Sequence, residues 1–124
     1  MKQFGTLLIF DCKNCRGEIN DKQTIQTLID DMVETMEMKK VGETIFEWFD
    51  MNEFNIENDL VGYSVCQIIS MSSITIHICS LSKRVYLDCF TCCQINEELI
   101  NRLSNLITWS FTPETIEKKI INRN

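Results

Sequence analysis

The chain has 124 residues, enough for one hydrophobic core and too few for several. Its 44% apolar and 24% charged content excludes a disordered chain, and a net charge of −6 argues against nucleic acid or an anionic membrane as partner, because both are gripped through Lys and Arg. Seven cysteines, an odd number, cannot all pair within one chain, so reduced thiols are the simpler expectation. The apolar run around Leu7 to Phe10 is too short for a signal segment or a spanning helix, which points to an intracellular, cytoplasmic protein.

In chain order, Phe4 to Cys12 has the composition of a first strand. Asp21 is placed to cap a helix whose apolar residues Ile25, Leu28, Ile29, Met32, Val33 and Met36 recur every three or four positions. Glu43 to Phe49 alternates as a second strand, and the polar stretch Asn52 to Asp59 reads as an exposed loop. Three strands follow in quick succession, Tyr63 to Ile69, Ile74 to Ile78 and Arg84 to Phe90, joined by short turns that fit antiparallel neighbours. Asn96 caps a second helix through Ile107, and Thr115 to Ile121 returns as an edge strand. The order β α β β β β α β predicts one α+β domain over 1–124, a two-layer sandwich with a mainly antiparallel sheet and two helices packed on one face.

Chemistry concentrates in the second half. On the strand ending IHIC, the three isoleucines face one way and Ser73, Thr75, His77 and Cys79 the other. A lone histidine on a polar stripe is ordinarily a structural one, hydrogen-bonded across the sheet. Cys92 and Cys93 fall at a strand-to-helix turn, where a helix N-terminus favours thiolate, although free cysteine is more often a small core residue. Cys12 with Cys15 and Cys89 with Cys92 form two CxxC pairs, a zinc alternative weakened by their overlap with strands and the missing glycine-rich knuckle.

The stretch GYSVCQIISMSSITIHICSLSKRVYLDCFTCC, residues 62–93, resembles the processing region of the prokaryotic-type S-adenosylmethionine decarboxylases, pyruvoyl enzymes made as self-cleaving proenzymes. That family reads approximately GVSGVVxxxESHxxIHTWPE, then a link, then DxFTCG. Laid on it without a gap, Ser64 matches the processing serine, Ser72 the pyruvoyl precursor, His77 the processing histidine and Cys92 the catalytic cysteine. FGTLLIFDCKNC is similar to the family's first strand, with Asp11 and Cys15 at matching places.

The resemblance implies that the Ser72 hydroxyl attacks the Met71 carbonyl, with Ser64 supplying an oxyanion hydrogen bond and His77 removing the α-proton of residue 72. Cleavage between Met71 and Ser72 would leave a covalent pyruvoyl cofactor, derived from Ser72, that holds the substrate amine as a Schiff base and drains its electrons. Cys92 would return the proton. It also implies S-adenosylmethionine as substrate, decarboxylation for spermidine synthesis, and a homodimer. Ser72 and His77 are five apart, so a regular strand would put them on opposite faces; an alternation break near Ser72 is therefore expected. The pattern departs from the family at Met71, Ser73, Leu81 and Cys93, which replace glutamate, histidine, the ribose-binding glutamate and glycine. Two alternatives therefore stand beside the main reading: a decarboxylase for another amino acid, and a non-catalytic relative that binds ligand or regulates an active subunit. Phe10, Phe46 and Phe49 are candidates for stacking adenine, although each is more readily a core residue.

Overall fold

The structure, a computed structural model, describes residues 4–50 and 58–124, so most of the expected Asn52 to Asp59 loop lies outside the described residues. Strand β1 spans Gly5–Lys13, helix α1 Lys22–Thr35, β2 Lys40–Phe49, β3 Gly62–Ile69, β4 Ser72–Cys79, β5 Arg84–Thr91, helix α2 Glu97–Phe111 and β6 Thr115–Arg123. All six strands form one antiparallel sheet in the order β2-β3-β4-β5-β1-β6. The two-layer α+β expectation holds, with every expected element present.

Both helices begin where their caps predict. Asp21 accepts the Gln23 N–H and the Thr24 hydroxyl, the latter at 2.8 Å, and the Thr24 bond holds its carboxyl below the usual carboxylate range. Asn96 Oδ1 accepts the Leu99 N–H at 2.8 Å, satisfying a donor the helix cannot. Ile25, Leu28, Ile29 and Met32 of α1 and Ile100, Leu103, Ile107 and Phe111 of α2 bury against Leu8, Phe10, Ile74, Ile76, Ile78, Val85 and Leu87 of the sheet. Each such side chain contributes about 1.5–3 kcal/mol by leaving water.

The sheet's details set the site. Gly42 and a register shift between Val41 and Ile45 bulge β2. Gln67, fully buried, fills that irregularity by donating to the Gly42 carbonyl at 3.2 Å and accepting from the Thr44 hydroxyl. Between β3 and β4 the turn is only Ser70 and Met71, with Met71 at φ 53°. That turn fixes the ladder: Ile69 faces Ser72, and five residues on, Ser64 faces His77.

Residues directly opposite in an antiparallel sheet share a face, so the helix-free side can be read row by row. Toward the Ser70–Met71 hairpin lies an apolar row of Val41, Ile68, Phe90, Leu7 and Ile121, interrupted by Ser73. Toward the opposite ends of β3 and β4 lies a polar row of Glu47, Ser64, His77, Tyr86, Asp11 and Glu117. Val41 and Ile68 each keep 55% of their surface in this monomer, more than the core tolerates.

Candidate active site

The structure sorts the four expected site residues into two pairs. The first is local to the hairpin: the Cys92 N–H donates to Ser72 Oγ at 3.1 Å, and the Ser72 hydroxyl points its proton at Cys92 Sγ, 3.8 Å away. Ser72 is buried, with 6% of its surface exposed, on the helix-facing side of β4. Cys92 Sγ also lies 4.0 Å from the Ser70 carbonyl and 3.9 Å from Cys93 Sγ. Met71, just before Ser72, holds a left-handed conformation that costs a non-glycine residue about 1–2 kcal/mol. The hairpin thus gathers a buried hydroxyl, a thiol and a residue in a strained backbone conformation.

The second pair is Ser64 and His77, cross-strand neighbours with Ser64 Oγ 3.0 Å from His77 Nδ1. They line a cavity of about 570 Å³ with Phe49, Tyr63, Ile78 and Tyr86. That volume suits a small organic ligand. Gly62 forms part of its wall, and a Cβ there would come within 1.7 Å of the Ile78 carbonyl oxygen, so only glycine lets β3 start against β4.

The expected alternation break near Ser72 is absent. β4 is regular from Ser72 to Cys79, so Ser72 faces the helices while His77 faces the opposite side. The strain resides in the turn at Met71, before the strand, because the ladder from Ile69–Ser72 onward pins the register. Along β4 the five-residue separation of Ser72 and His77 is about 16 Å.

Other expectations sort as clearly. Among the described residues no group of three or more His, Cys, Asp or Glu side chains is arranged to hold a metal, and Cys12, Cys15 and Cys89 are core residues. The favoured thiolate at the turn does not apply to Cys93, whose hydrogen bond to Cys92 holds its thiol above the ordinary range. Phe10 is core, Phe46 packs edge-on to Tyr63, and Phe49 borders the His77 cavity. Leu81, in the β4–β5 turn, keeps 65% of its surface exposed. Tyr63, Tyr86 and the buried Gln67 were not anticipated; the first two were findable from the strand register, since Tyr86 faces His77.

The S-adenosylmethionine decarboxylase family model matches residues 6–124. The chain belongs to the S-adenosylmethionine decarboxylase family. Its fold is that of a solved structure described as the adenosylmethionine decarboxylase from Aquifex aeolicus VF5, with a TM-score of 0.75 and 18% sequence identity over 100% of this chain and 93% of that one. No curated protein matches the chain in sequence. Of the departures from the S-adenosylmethionine decarboxylase family noted above, Met71, 81% exposed at the hairpin, Leu81 in the next turn and Cys93 sit on the surface, and Ser73 is half-buried on β4.

Proposed function

We propose that the chain is a self-processing, pyruvoyl-dependent decarboxylase that cleaves itself between Met71 and Ser72 and acts on S-adenosylmethionine for polyamine synthesis. The observation that carries the reading is the Ser72–Cys92 contact: the nucleophilic hydroxyl is held by a backbone N–H, next to a left-handed Met71 and a thiol. In processing, Ser72 Oγ attacks the Met71 carbonyl carbon, and the peptide nitrogen leaves with a proton to give an ester. A base then removes the α-proton of residue 72 and the ester eliminates, so that segment 1–71 leaves as the Met71 carboxylate and residue 72 becomes dehydroalanine; its imine tautomer adds water and loses ammonia to give the pyruvoyl group. When formed, the pyruvoyl group supplies the electron sink for loss of carbon dioxide. Cys92, whose sulfur lies 3.8 Å from Ser72 Oγ in the uncleaved chain, would return a proton to substrate carbon after processing.

His77 is the candidate base, with Nδ1 committed to Ser64 and Nε2 left for proton transfer. At about 16 Å from Ser72 along β4, it cannot reach the α-proton of its own chain. We therefore place the working site in a homodimer, with the Ser64–His77 pair of one copy serving the Ser72–Cys92 pair of the other. The apolar row on the helix-free face, with Val41 and Ile68 more than half exposed, supports a second copy there.

The test is an intact mass of purified protein, followed by carbon dioxide release from S-adenosylmethionine compared with ornithine, arginine and lysine. Two fragments split after Met71, with release from S-adenosylmethionine alone, are expected. A single uncut chain overturns the enzyme. A second reading is favoured by Leu81, which is apolar and exposed where the family holds a ribose hydroxyl: cleavage with release only from an amino acid lacking the nucleoside would replace the substrate but keep the chemistry.

A further inference from the structure

Four of the seven cysteines are buried and Cys66 is half-buried on the helix-free face of β3, whereas Cys92, half-buried, and Cys93, exposed, lie together in the bend between β5 and α2. No step proposed above uses Cys93. Its sulfur stands 3.9 Å from that of Cys92, and the hydrogen bond between them raises the Cys93 thiol above its ordinary range. Neither residue belongs to a strand ladder, so the local backbone can adjust without unzipping the sheet. Adjacent α-carbons on a trans peptide are about 3.8 Å apart, closer than the roughly 4.4–6.8 Å of ordinary disulfides, so a bond between these sulfurs would be strained and readily reduced.

We propose that Cys92 and Cys93 are a vicinal dithiol modification site, converted by a hydroperoxide into one reversible intramolecular disulfide. Cys92 sulfur attacks the peroxide oxygen; the O–O bond breaks, an alcohol or water leaves, and Cys92 becomes a sulfenic acid. Cys93 sulfur then attacks Cys92 sulfur, the S–O bond breaks, and water departs with the Cys93 proton. The two sulfurs lose two electrons and the peroxide gains them. A thiol reductant restores both groups by exchange. This inference rests on the proposed function only for its consequence, the withdrawal of Cys92 from proton return; the modification itself does not.

The full-length protein is treated with hydrogen peroxide, alkylated, unfolded, alkylated again with a second reagent, and digested after Lys and Arg. Peptide 85–102, which holds Cys89, Cys92 and Cys93, is expected to lose the mass of two hydrogens, with Cys89 alone taking the second label. Dithiothreitol should restore labelling, and decarboxylation should fall by about 100-fold and recover in step. In Cys93→Ser the resolving thiol is gone, so Cys92 should accumulate sulfinic and sulfonic acid that dithiothreitol does not reverse. Oxygen uptake at Cys92 in the native sequence with Cys93 still labelled, or a bond between Cys12 and Cys15 instead, overturns the proposal. A disulfide that forms while decarboxylation continues supports the dithiol site and removes Cys92 from the catalytic role.

Discussion

Two variants that each destroy half of a composite site should rescue one another. Ser72→Ala removes the nucleophile, and His77→Ala removes the base that lies about 16 Å from it along β4. If each site joins the hairpin of one copy to the polar row of the other, a mixed dimer holds one complete site and one doubly broken one. Random pairing at equal expression gives about half mixed dimers, hence about a quarter of the wild-type complement of sites. The assay is co-expression with different tags, isolation of doubly tagged protein, a denaturing gel and carbon dioxide release. About half of all His77→Ala chains should be cut in the unfractionated mixture, and no Ser72→Ala chain. Doubly tagged dimers that stay uncut, or His77→Ala protein that cleaves normally by itself, would refute the composite site.

Cys92→Ala should still split after Met71 yet turn over about 10²- to 10⁴-fold more slowly, measured under saturating S-adenosylmethionine. Gly62→Ala forces a methyl to within 1.7 Å of the Ile78 carbonyl oxygen, and denaturant unfolding should show a loss of about 3 kcal/mol, the upper end of ordinary overpacking. Asp30 has a carboxylate whose burial acts to raise its pKa, but the Lys40 ammonium at 2.8 Å and the Gln26 amide outweigh that and lower it. Its contribution is therefore fully present above the unfolded carboxylate value of about 3.9 and is lost as pH falls through the lower folded one. Asp30→Asn should flatten that acid limb in thermal melts from pH 5 downward, while an unchanged limb would show the pair to be fully screened.

The elements were legible because their signals are local. Asp21 and Asn96 announce helix starts, and the alternation of isoleucines with Ser73, Thr75 and His77 announces a half-buried strand. Even the Ser64–His77 pairing follows once the hairpin is known to contain only Ser70 and Met71, since a two-residue turn fixes every later partner. The position of β1 between β5 and β6 is a long-range choice that no local period encodes. Gln67 reads as a surface residue until the β2 bulge supplies acceptors for its amide. The expected kink at Ser72 came from assuming that four matching residues must meet within one chain. The regular ladder shows that they do not, and strand periodicity is silent about what a second subunit brings.

The sheet order has a consequence for a polypeptide severed after Met71. The leading piece would own β1, β2 and β3 and the trailing piece β4, β5 and β6, yet β1 is threaded between β5 and β6. The halves would be interlaced, with three of the five strand-to-strand seams running from one piece to the other. Covalent scission would thus leave a body that only a denaturant could pull apart, and the broken end at residue 72 would stay anchored by its neighbours on β3 and β5.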